Sequence, residues 1–190
     1  MCLDGIDSYN EPFIAAAMIW RKHASRILVS AGPEVKIHLI AVGRRMPDWV
    51  EKGVTEYQRR MPAEAALRIT EIAPGRRGKR LDIPRIVRDE GEKILAAIPS
   101  DSQVVALDVR GKMLSTPALA RWMDDWLHAG RDVALLVGGP DGLSDAVRDR
   151  AERRWSLSSL TFPHPLVRIL VAEQLYRAWS ILKHHPYHRE

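Results

Sequence analysis

From Lys36 onward the chain keeps a rhythm that admits few folds. Short apolar runs, KIHLIAVG, LRITEIAP, QVVALDVRG, DVALLVGG and SLSSLTF, alternate with longer stretches of helical period. Those stretches are DWVEKGVTEYQRRM, DIPRIVRDEGEKILAAI, STPALARWMDDWLHAG, SDAVRDRAERRW from Ser144, and LVRILVAEQLYRAWSILKHH. Strands separated by whole helices return to the sheet in the same direction, which predicts an α/β domain around a largely parallel sheet. Ser115 or Thr116 caps the third helix. Nothing repeats internally.

A chain of 190 residues, 46% hydrophobic, suits one core. Residues 1–35 stand outside the rhythm, cut off by the Ser30-Ala31-Gly32-Pro33 break, so the domain is assigned to 36–190 with an N-terminal extension before it. Two origins stay open for that segment: a genuine extension, disordered as a free tail, or a start codon taken too far upstream, with Val35 in the initiator's place. FIAAAMIW, Phe13 to Trp20, is too short to span a bilayer and follows Asp4, Asp7 and Glu11 where an export signal would have basic residues. No membrane association is expected. The single cysteine, Cys2, leaves no disulfide framework and no cysteine-rich zinc site, so a reducing cytoplasm is the expected compartment.

The net charge of +5 is concentrated. Between Arg44 and Arg80 there are ten basic residues against five acids, and the densest part is RRGKR, with Arg76, Arg77, Lys79 and Arg80 behind Pro74-Gly75. Such a loop can drape over phosphates or simply lie solvated.

At Leu135 to Ser144, LLVGGPDGLS, an apolar run stops at Gly138-Gly139-Pro140-Asp141-Gly142 and restarts as a helix. A Walker loop would place a lysine and a Ser/Thr directly after the last glycine; Leu143 stands there. A dinucleotide fold would carry G-x-G-x-x-G after the first strand, and VGRRMPD lacks it, which also argues against Rossmann-type methyltransferases. What is left is either a turn that brings main-chain atoms close to a flat ligand or a turn and nothing more.

Further on, Pro163 and Pro165 bracket His164, and each proline biases its predecessor away from helical angles. His164 is therefore expected on an extended corner, available for hydrogen bonding or satisfying a helix start. The tail HHPYHRE adds His184, His185, Tyr187, His188 and Arg189; His184 and His188 lack a third ligand, so no metal is expected. The last helix is apolar on nearly all faces, which predicts burial on two sides, against its own sheet and a second subunit, with Glu173 and Arg177 paired four apart along its polar edge.

VGGPDGLS, WSLSSLTFPHPLVRILVAEQLYRAWSI and HPYHRE, together with KIHLIAVGRRMPDWV, resemble the bacterial large-subunit ribosomal RNA methyltransferases of type H, pseudouridine N3-methyltransferases of the SPOUT superfamily. The likeness runs from about Lys36 to Glu190 and leaves the first 35 residues unmatched. It implies a mostly parallel sheet with helices on both faces and a C-terminal trefoil knot, a feature rare enough among folds that periodicity could not announce it. It also implies homodimers that bind S-adenosylmethionine and act on 23S rRNA in the assembled ribosome. Carried over by motif, the cofactor contacts are Leu107, Gly139 and Ser158, Ser159, Leu160, Thr161, Phe162 and Pro163. Phe162 stands where the family often has leucine, and RRGKR matches its basic loop in character only.

Methyl transfer to a ring nitrogen needs in-line placement and an exit for the N3 proton. His164 and His188 are the candidate acceptors, directly or through water, with Arg189 the third catalytic candidate. Arg189 is also read as an RNA contact, Tyr187 as a stacking surface, and Arg76, Arg77, Lys79 and Arg80 as phosphate contacts whose affinity falls with salt. In the family the resemblance points to, the tail of one subunit completes the other's site. The competing class is a non-catalytic RNA- or ribosome-binding SPOUT-like module; an enzyme of phosphorylated metabolites would lack its phosphate loop and leave the basic stripe unexplained.

Overall fold

The structure, a computed structural model, describes residues 34–76 and 82–188. The segment 1–33, and Arg77, Lys79, Arg80 and Arg189, lie outside the described residues. Five strands, β1 (Val35–Val42), β2 (Ala65–Ile72), β3 (Gln103–Met113), β4 (Val133–Val137) and β5 (Arg153–Ser156), form one sheet in the order β2-β1-β4-β3-β5, every pair parallel. The helices are α1 (Asp48–Arg60), α2 (Ile83–Ala97), α3 (Thr116–Ala129), α4 (Asp145–Arg150) and α5 (His164–Leu182).

The strand pattern explains the layers. In β1, Val35, Ile37, Leu39 and Ala41 join one buried cluster with Met123 and Trp126 of α3, Val171 and Leu175 of α5, and Tyr57 of α1. Ile40 and Val42, pointing the other way, join Ile94 of α2 and Val147 of α4. Helices therefore cover both faces, and the central β4, VALLV, is buried along its whole length, as a strand covered on both sides must be. Caps set the helix starts: the Asp82, Ser115 and Ser144 side chains accept from the backbone N–H of Arg85, Ala118 and Val147. Of the two cap candidates for α3, Ser115 serves, and Gly130 ends that helix at φ 64°.

Three expectations are corrected. SDAVRDRAERRW is not one helix: α4 stops at Arg150, Ala151 turns extended, and Arg153–Ser156 becomes β5, with Trp155 buried and paired to Leu107. Alanine, arginine and glutamate all favour helix, but local propensity is a small term that the open edge of β3 outweighs. SLSSLTF correspondingly is not a strand beyond Ser156; residues 157–163 form a loop. His164 is not on an extended corner but is the first residue of α5, because proline is tolerated in the first helical turn and overrides the pre-proline bias.

Candidate active site

A cavity of about 780 Å³ opens at the carboxyl ends of β3 and β4, where parallel sheets generally receive ligands. Three bends of the chain wall it: Leu107–Arg110, Val137–Leu143, and Trp155–His164 without Ser159, with Arg148 and Val167 completing the surface. The cofactor contacts expected at Leu107, Gly139, Ser158, Leu160, Thr161, Phe162 and Pro163 thus converge on one cavity. Ser159 is exposed and faces elsewhere.

Each bend has a local cause. After β4, the N–H of Gly142 donates to the Gly139 carbonyl over 2.9 Å, and Gly142 sits at φ 85°, in the left-handed region that favours glycine. A Cβ on Gly138 would stand 2.5 Å from the Gly142 carbonyl, and one on Gly139 would stand 2.8 Å from Glu90 Oε2. The glycines are required first for the turn to close on itself; the closed turn then presents its main chain to the cavity. In the third bend, Ser156 Oγ donates to the Ser158 carbonyl (3.0 Å) and the Leu160 N–H donates to Ser158 Oγ (3.0 Å), which holds the loop open with Leu160 69% exposed.

The first bend is a break in register. β3 pairs Leu107 with Trp155 and then Lys112 with the same Trp155, so residues 108–111 bulge out of the sheet. Gly111 makes that possible, since a Cβ there would lie 2.7 Å from Trp155 backbone. The bulge turns Asp108 toward Arg148, whose Nε donates to Asp108 Oδ2 at 2.7 Å, while the Arg110 N–H donates to Oδ1 at 2.8 Å. Partial burial pushes the Asp108 carboxyl up, but the Arg110 N–H and the Arg148 guanidinium outweigh it and hold the group below the usual carboxylate range. The same hydrogen bond raises Arg148.

His164 lines the cavity and sits beside the end of β1, its Cε1 3.5 Å from where a Cβ on Gly43 would be. One turn on, the buried Arg168 was not singled out in the sequence. It donates to Glu71 (2.6 Å) and to the Gly43 carbonyl (2.9 Å), tying α5 to β1 and β2. Glu90 is a second such residue: fully buried in α2, it accepts the Gly75 N–H at the root of the basic loop (2.8 Å) while its other oxygen backs Gly139. In sequence both look like surface charges of a helix. Only the near-continuous apolar run around Arg168 hinted that it is enclosed.

The other described candidates do not line this cavity in the same chain. Tyr187 folds back along α5: its ring packs on Tyr176 (ring centroids 4.8 Å) and its hydroxyl donates to Glu173 Oε1 (3.1 Å), midway along the helix. Glu173 lies nine residues along α5 from His164, roughly 14 Å at the standard helical rise, and Tyr187 is not among the residues that line the cavity. His188 lies in the same tail, its Nδ1 buried without a hydrogen-bond partner among the described residues. Arg76 is exposed on a shallow hollow with Asp82, Arg85 and Asp89. Among the described residues no cluster of three or more His, Cys, Asp or Glu could hold a metal ion, and no helix is long and apolar enough to cross a membrane.

Residues 35–188 match the family described as "Predicted SPOUT methyltransferase". The chain belongs to the SPOUT methyltransferase family. Within it, the chain is 60% identical over 156 residues to the Ribosomal RNA large subunit methyltransferase H of Thioalkalivibrio sulfidiphilus, covering 82% of this chain and 100% of that protein. To the protein of the same name from Methylococcus capsulatus it is 59% identical over 155 residues, again across 100% of that protein. Among solved structures, a probable methylase family protein from Haemophilus influenzae aligns with a TM-score of 0.48 at 12% identity, covering 83% of this chain and 71% of that one. This SPOUT chain is thus an enzyme of methyl transfer, and the cavity bounded by its three bends is its candidate active site.

Proposed function

We infer that this enzyme transfers the methyl group of S-adenosylmethionine to N3 of a pseudouridine in large-subunit (23S) ribosomal RNA, acting on the assembled ribosome as a homodimer. One observation carries the reading: Leu107, Gly139 and the 158–163 loop, far apart in sequence, wall a single cavity of a size suited to a nucleoside cofactor. The residues fit that group. Main-chain edges at Leu107, Gly139 and Ser158 offer hydrogen bonds, and Leu107, Leu157, Phe162 and Val167 offer apolar walls for an adenine ring. The curated relatives named for this activity support the substrate class.

When bound, the donor supplies the electrophilic methyl group. The chain's own residues supply geometry and a proton route. His164, on the cavity wall, accepts the N3 proton directly or through a water. Tyr187 and His188 do not line the cavity of their own chain, so in this reading they, with Arg189, serve the cavity of a second copy. The apolar residues left partly exposed on α5, including Leu166 at 38%, provide the surface for that copy. Arg76, Arg77, Lys79 and Arg80 contact RNA phosphates, with affinity falling as salt rises. The C-terminal trefoil knot belongs to the same proposal, as does an N-terminal segment dispensable for the reaction.

The test is mass spectrometry of ribosomal RNA from cells with and without this protein. Loss of one methyl mark, restored by the wild-type gene and not by His188→Ala or Arg189→Ala, is the expected result. RNA binding with no binding of S-adenosylmethionine by calorimetry would replace the enzyme with a binding module.

A further inference from the structure

The wall of the cavity is uneven in charge. Its 155–163 side carries no charged side chain, only apolar groups, the hydroxyls of Ser156, Ser158 and Thr161 and main chain, while Arg110, Arg148, Asp108 and Asp141 lie on the other walls. Arg110 is exposed on the outer side of the bulge. Arg148 is fixed: Nε donates to Asp108 Oδ2 (2.7 Å), Nη1 donates to Asp145 Oδ1 (2.8 Å), and Nη2 reaches toward the glycine turn, 3.6 Å from where a Cβ on Gly142 would stand.

We propose that Arg148, held in place by Asp108, receives the α-carboxylate of the amino-acid tail of the methyl donor. The inference rests on the donor assigned above and adds which end of it meets a side chain. A nucleoside is served by apolar walls and main-chain edges, but a zwitterionic tail needs a cation that does not have to be reorganised when the ligand arrives. Two of the Arg148 nitrogens, Nε and Nη1, are already committed to carboxylates that fix the guanidinium plane, and Nη2 is the one that donates a charge-assisted hydrogen bond to the incoming carboxylate. The register break in β3 has a consequence here: without the bulge at 108–111, Asp108 would point along a regular strand instead of toward α4. Asp108 is a positioning residue in this scheme, and Arg148 the one that touches the ligand.

The experiment compares two nucleosides by calorimetry on the full chain. S-adenosylhomocysteine carries the amino-acid tail; 5′-methylthioadenosine has the same thioether nucleoside and lacks the tail. In the wild type, S-adenosylhomocysteine binds the more tightly. Arg148→Met weakens it by roughly tenfold to a hundredfold, the usual worth of a charge-assisted hydrogen bond, and leaves 5′-methylthioadenosine unchanged, which also reports that the cavity is folded. Arg148→Lys, which keeps the charge and loses the plane fixed by Asp108 and Asp145, gives an intermediate ratio and serves in place of the methionine variant if that does not fold. Asp108→Asn, which leaves the acceptor for the Arg110 N–H, lowers the ratio by a few-fold.

Equal weakening of both ligands, or no change in either, overturns the proposal while leaving the donor assignment standing. A wild-type protein that binds neither nucleoside overturns the donor assignment itself and this inference with it.

Discussion

The two ends of α5 use their polar groups differently. At the amino end, Arg168 bonds to Glu71 and the Gly43 carbonyl, ordering the end of β1, and His164 faces a cavity. At the carboxyl end, Tyr176, Trp179, His185 and Tyr187 pack on one another, and the Tyr187 hydroxyl is engaged with Glu173. Burial, then the Tyr57 hydroxyl and the Glu173 carboxylate, push that hydroxyl's pKa upward, so it stays a protonated donor. One end shapes backbone around open space; the other is a closed cluster. A single helix can thus connect a site to an anchor, and the tail's chemistry points away from the cavity of its own chain.

The sharpest way to break this contrast is at the amino end. Arg168→Met leaves the exposed Glu71 without its partner and releases the Gly43 carbonyl, at an expected cost of about 2 to 3 kcal/mol. Thermal melting should fall by roughly 5 to 10 °C, and binding of S-adenosylhomocysteine should fail near the midpoint.

At the carboxyl end, Tyr187→Phe removes one hydrogen bond to a carboxylate and keeps the ring stacked. A loss of about 1 to 2 kcal/mol is expected, with donor affinity at the cavity unchanged. Equal losses of donor affinity in both variants would erase the distinction between the two ends.

The smallest effect concerns acid. The Asp108 carboxyl titrates below its unfolded value, so its contribution is present above about pH 4 and is lost as pH falls through the lower folded value. Acid titration followed by circular dichroism should show Asp108→Asn with a weaker dependence below about pH 4 than the wild type.

Most of the architecture could be read in advance because it depends on local pattern. Two-residue alternation in KIHLIAVG and the capping serines at Ser115 and Ser144 need no knowledge of distant neighbours. The failures share one cause. Whether Arg153–Ser156 becomes strand depends on the open edge of β3, more than 40 residues back in the chain, and whether Arg168 or Glu90 is enclosed depends on strands and loops from elsewhere. Resemblance supplied the candidate cofactor residues, and the structure assembled all but Ser159 around one cavity.

By itself the sequence determined the alternation of strands and helices, the basic stretch between Arg44 and Arg80, and the glycine turn after β4, since each is a property of neighbouring residues. Only the tertiary structure decided the strand order, the bulge that turns Asp108 onto Arg148, and the folding of Tyr187 back onto Glu173 and Tyr176. Those follow from pairing and burial between segments far apart along the chain, where the free energy of a contact depends on what else has already packed around it.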